Sequence, residues 1–143
     1  MSEELRERLA RVGASIGRRE ANHGEALETA RKKAAELHAV VTDGIGAYRQ
    51  AVEAAGASHL AAVQVSEPRL DDKHVRAVEF SLERGRYRAI VTVKSKGEVT
   101  LVGPFRAGKA EGPCKSFPFE AEPELSAALG GFLEEFLEEA ATP

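Results

Sequence analysis

The chain has 143 residues, enough for one domain or for a small domain with an appendage. Its 43% hydrophobic and 30% charged composition excludes an intrinsically disordered chain. A net charge of −3 excludes a strongly basic, histone-like protein, and the absence of a long apolar run excludes a transmembrane span.

The first residues, Met1 to Arg6, are polar and acidic and do not read as a secretory leader. Cys114 is the one cysteine, so a disulfide or a cysteine zinc site within the chain is not expected. The expected location is the cytoplasm, with no membrane partner.

Residues 1–57 read as a helical, coiled-coil-like oligomerisation arm. Ser2 can cap it, and Glu3 and Glu4 suit the positive end of the helix dipole. Leu5, Leu9, Val12 and Ile16 follow at alternating steps of four and three, the seam of a coiled coil. Arg19 and His23 interrupt the seam. The stripe resumes at Leu27, Ala30, Ala34, Leu37, Val41, Ile45, Tyr48 and Val52. Asn22-His23-Gly24 and Asp43-Gly44-Ile45-Gly46 are possible breaks, near 22–24 and 43–46. An unbroken helix of about 52 residues would be roughly 78 Å long, against a globule roughly 30 Å across. It must either fold back as a hairpin or protrude and pair with another chain. The expected oligomer interface is Leu5, Leu9, Val12, Ile16, Leu27, Leu37 and Val41.

Residues 58–143 read as a small α+β domain, so the fold class is α+β. The predicted sheet is a four-stranded antiparallel meander. A short strand over Leu60–Val65 precedes a turn-rich segment, Ser66–Lys73. Arg76–Glu83 alternates with Val78, Phe80 and Leu82 on one side. Arg86–Lys94 alternates with Tyr87, Ala89, Val91 and Val93, and Glu98–Val102 with Val99 and Leu101. Pairing Glu83 with Arg86 and Lys94 with Glu98 makes one face apolar throughout. Gly103–Phe119 reads as a Gly- and Pro-rich loop. The final segment is an amphipathic helix with Leu125, Leu129, Phe132, Phe136 and Ala140 on one side, predicted to pack on the apolar sheet face.

Gly103 to Lys109 matches G-x-x-x-x-G-K, the pattern of a phosphate-binding loop. Ala110 stands where magnesium needs Ser or Thr, and Gly112-Pro113 follows where a helix must start. A structural loop, or a bare anion site using Arg106, Lys109 and Lys115, fits better. Cys114 beside Lys115 could gain thiolate character, but nucleophilic catalysis also needs a base and an oxyanion site. Asp71, Asp72 and His74 read as a solvated turn rather than a metal cluster. No catalytic set, cofactor or metal site is therefore expected.

Charge is unevenly spread. Residues 1–68 carry 9 basic and 10 acidic groups, residues 69–115 carry 11 and 6, and residues 116–143 carry 0 and 7. These features lead to a non-catalytic oligomerising adaptor or chaperone-like protein-binding module, a homo-oligomer with a dimer favoured. The alternative is a nucleic-acid or anion-binding protein using the basic sheet region and the 103–115 loop, through Arg86, Arg88, Lys94, Lys96, Arg106 and Lys109. The acidic last helix would offset the field of that sheet.

Overall fold

The computed structural model describes residues 2–71, 76–108 and 112–142. Residues Glu3–Ala54 form one uninterrupted helix, α1. The Ser2 hydroxyl accepts a hydrogen bond from the Leu5 amide at 3.2 Å, and Glu3 and Glu4 lie in the first turn. The possible breaks at 22–24 and 43–46 do not occur. Gly24, Gly44 and Gly46 stand in helix with open space where a side chain would be. Each costs about 1 kcal/mol against alanine, which the good helix formers around them offset. The seam keeps its alternating steps of four and three through Arg19 and His23. Leu5, Leu9, Val12, Ile16, Arg19 and His23 span about five turns of a 3.6-residue helix. Arg19 and His23 therefore continue the stripe.

The end of α1 is a Schellman motif. The Ala57 amide donates to the Val52 carbonyl at 2.8 Å and the Gly56 amide to Glu53 at 3.0 Å, with Gly56 at φ +78°. A 3₁₀ turn, Ser58–Ala61, follows. Arg49 clamps it to α1 by donating to the carbonyls of Ala61 and Val63.

The sheet has six strands: β1 (Gln64–Val65), β2 (Arg69–Leu70), β3 (Ala77–Arg84), β4 (Tyr87–Lys94), β5 (Glu98–Arg106) and β6 (Cys114–Pro118). Its order is β1-β3-β4-β5-β6, with β2 also on the outer side of β3. All described pairings are antiparallel. The predicted first strand shrinks to Gln64–Val65, because residues 58–61 turn instead. Ser66 and Pro68 interrupt the edge before β2 resumes. The Ser66 amide donates to Ser81, and its hydroxyl accepts from the Ser81 amide at 2.8 Å.

The 103–119 segment is not a loop throughout. It contains the end of β5 and all of β6. Gly103 is at φ +112°, and a Cβ there would come within 3.0 Å of the Arg88 carbonyl oxygen. The pairing of β4 with β5 is irregular at this point, between Arg88 and Ile90. Its glycine serves a bulge, and Pro118 ends a strand at the sheet edge; both residues are compatible with sheet at those positions.

The hairpin between β3 and β4 turns one residue later than expected. Arg84 pairs with Tyr87 across Gly85-Arg86, so Phe80 faces Val91 and Leu82 faces Ala89. Gly85, at φ +58°, takes the first position of this two-residue turn. A shift of two in register keeps every side chain on its expected face. The β4–β5 register, with Lys94 opposite Glu98 and Val93 opposite Val99, is as predicted, with Gly97 at φ +96° in the turn.

The last helix, α2 (Glu122–Ala141), buries Leu125, Leu129, Phe132, Phe136 and Ala140. Both helices share the apolar sheet face. α1 lies over β3 and β4, and α2 over β4 and β5. One core joins Ala30, Ala34, Leu37, Val41 and Ile45 of α1 to Phe80, Leu82, Val91 and Phe136. Two polar contacts tie the layers together. Lys33, buried on α1, donates to Glu122 at the start of α2. Arg84 donates to the Ala140 carbonyl, a cation placed at the negative end of α2.

Candidate interaction surface

A single face of α1 meets two environments. From Ala30 to Ile45 its apolar residues lie against the sheet; Val41 is 0% exposed and Leu37 7%. Leu27 and Tyr48 are half-buried against the same core. Toward the other end the face leaves the sheet. Leu5 is 40% exposed, Leu9 56%, Val12 52% and Ile16 53%. Scattered apolar residues on a surface are ordinary, but four in register along one helical line form a stripe that wants a cover.

The point of departure is a cleft of about 960 Å³. Ile16, Arg19, Glu20 and His23 of α1 form one wall. The end of the sheet forms the other, with Arg76, Lys94 and Lys96 prominent in it. The Glu98 carboxylate serves both Lys94, at 3.3 Å, and Lys96, at 3.9 Å. Arg19 and Arg76 are exposed. Among the described residues, its lining is apolar at Ile16 and carries the cations Arg19, Arg76, Lys94 and Lys96 with the acidic Glu20 and Asp71.

The seven residues expected at an oligomer interface divide accordingly. Leu37 and Val41 are consumed by the chain's own core, and Leu27 packs against it. They are covered because the sheet lies under this half of α1. Leu5, Leu9, Val12 and Ile16 stay exposed, and Arg19 and His23 extend their line. Sequence reasoning passed over those two as interruptions. Their spacing already placed them on the line at the next steps of three and four; it was their polarity that made them read as interruptions.

The residues considered for anion or nucleic-acid contact form two groups. Arg86, Arg88 and Arg106 lie at the end of the sheet near the β3–β4 turn, and Lys94 and Lys96 at the opposite end. Arg88 and Lys94 are six positions apart on β4, about 20 Å of strand. Arg88 meets Glu83 at 3.5 Å, and the Arg106 guanidinium lies 5.8 Å from the Tyr87 ring centre. Lys109 lies outside the described residues, as do Asp72 and His74.

No family model, curated protein or solved structure matches this chain. Its reading therefore rests on its own residues. Gly103 and Arg106, from the phosphate-loop-like match, belong to an antiparallel strand, and Gly108 to a turn. Cys114 is exposed on β6, beside a groove of about 250 Å³ between β5, β6 and α2. The described lining of that groove includes Lys115, Phe132 and Glu135 and no histidine. Among the described residues, no three His, Cys, Asp or Glu side chains gather as a metal site would need. No described helix is long and apolar enough to cross a membrane.

Proposed function

We propose that this protein is a non-catalytic, self-associating adaptor or chaperone-like module. Its α1 arm joins copies into a homodimer, and its sheet–helix body presents the surface that a protein partner meets. The observation that carries this reading is the stripe Leu5, Leu9, Val12 and Ile16, apolar and exposed on a helix whose other half is covered. Burying such a stripe between two chains removes apolar area from water with no change in the fold of either body. The separation of the sheet's basic residues into two groups favours this reading over a single nucleic-acid track.

Light scattering across a concentration series tests it. A mass near twice the 15.4 kDa chain is expected at high concentration. A chain that stays monomeric throughout overturns the proposal. The double substitution Leu9→Glu with Val12→Glu should yield a monomer with unchanged helical circular dichroism, since both side chains are exposed. Titration with a DNA or RNA duplex at low ionic strength tests the alternative; tight, salt-sensitive binding would favour it.

A further inference from the structure

Resting on that self-association reading, we propose that the dimer is an antiparallel pair of α1 arms whose two-fold axis passes between the levels of Leu9 and Val12. Leu5 of each copy meets Ile16 of the other, Leu9 meets Val12, and the two bodies stand at opposite ends.

The orientation follows from which face the sheet occupies. The exposed line and the buried line are one face of a single unbroken helix. Ile16, Arg19 and His23 of that line look across the cleft at Arg76, Lys94 and Lys96 at the sheet end. From Leu27 onward the same face carries the chain's own core. A parallel partner would bring its α1 along this face and, past residue 27, would run into the sheet already seated there. Its own sheet would meet this α1 in the same way. A helix unbroken from Glu3 to Ala54 has no joint at which to turn aside. An antiparallel partner leaves past the N-terminal end and takes its body away from this one.

The register follows from the spacing. Leu5, Leu9, Val12 and Ile16 are four, three and four residues apart, an order that reads the same in either direction. Reversed upon itself, the stripe sets apolar against apolar at all four positions, and one patch is used twice as a two-fold interface requires. One heptad further would set Leu5 against His23 and Leu9 against Arg19; one heptad less would leave Val12 and Ile16 without an apolar opposite. In the matched register Ser2 of one arm ends level with Arg19 of the other, about 12 Å of helix before Leu27. The flanks agree. At about 3.6 residues per turn, Arg6, Gly13 and Glu20 lie along one side of the stripe and Arg8 and Ser15 along the other. An antiparallel pair sets like flank against like flank. The exposed Arg6 of one copy is then about 7.5 Å along the axis from the exposed Glu20 of the other. Side chains lean toward the N-terminus of their own helix, so these two lean toward each other, and the two-fold makes the pair twice. A parallel pair would instead gather Arg6 and Arg8 of both copies at one level.

Crosslinking tests this with the whole chain, in a background where exposed Cys114 is changed to serine. One chain carries Leu5→Cys and a second carries Ile16→Cys; the two are mixed and mildly oxidised. The expected result is a mixed, disulfide-linked dimer, with little of the Leu5→Cys chain linked to itself. Alongside, Arg6→Glu should weaken association by about three- to tenfold, and adding Glu20→Arg to the same chain should restore it. A dimer in which Leu5→Cys links to itself while the mixed pair does not has parallel arms and overturns the proposal. Linkage of Leu5→Cys to His23→Cys in place of Ile16→Cys overturns the register. A dimer that forms none of these links, or whose charge-reversed double variant stays as weak as Arg6→Glu alone, overturns it as well, while self-association stands. A strict monomer removes both readings.

Discussion

The two halves of α1 share one helical face, yet they do different work. Residues from Ala30 to Ile45 build the core with the sheet. Leu5, Leu9, Val12 and Ile16 follow the same spacing and remain exposed. A period near 3.6 says that a helix has a face; it says nothing of what lies opposite. That depends on where the sheet ends, and even the sheet's three long strands have only eight or nine residues while α1 has 52.

The sharpest test of this difference is a matched pair of truncations. Ile45→Ala removes a side chain that is 1% exposed, and should cost about 2–5 kcal/mol of unfolding free energy. Ile16→Ala, on the same helix, should change the stability of the dilute monomer by less than about 0.5 kcal/mol. Urea denaturation at low protein concentration reads both. At high concentration the Ile16 variant should lose part of the stability that association adds to the native chain. Equal costs in dilute solution would mean that the arm is covered within the monomer.

A smaller effect is expected where α1 stops. Gly56→Ala puts a side chain at φ +78° and should destabilise by about 1 kcal/mol. The smallest test addresses the junction of the halves. Gly24 is helical with open space around it, so Gly24→Ala should gain about 0.5–1 kcal/mol of helix stability. Circular dichroism at 222 nm and hydrogen exchange of the arm amides would show it. A loss of helix there would mean that Gly24 serves as a bend rather than as a helical residue.

Much of the architecture was legible because it is written in local periods. Val78, Phe80 and Leu82, then Ala89, Val91 and Val93, alternate as a half-buried strand must, and all six are buried. The α2 face was legible for the same reason. The hairpin at Ser95-Lys96-Gly97 was legible because only a residue tolerant of positive φ closes it. The β3–β4 register was off by two, since a Gly in a turn marks the turn without fixing which residues flank it. β6 was hidden because Gly103, Pro113 and Pro118 punctuate a bulge and the borders of an edge strand as readily as a loop.

The candidate interface was half legible. Seven apolar residues of α1 were read as one seam, and a seam cannot report that Leu37 and Val41 are already satisfied by Phe80 and its neighbours in the core. The cleft was not legible at all. Arg19 and His23 are separated in sequence from Arg76 by the rest of α1 and two strands and from Lys96 by four strands, and only the docking of α1 on β3 and β4 brings them face to face.

By itself, then, the sequence determined the two long helical faces, the three central strands and the uneven charge along the chain, because these follow from local periodicity and composition. The tertiary structure decided which part of the long face is spent on the chain's own core and which part is left over. The physical reason is one of size: burial requires an opposing surface, and a six-stranded sheet with α2 beside it can cover little more than half of a 52-residue helix.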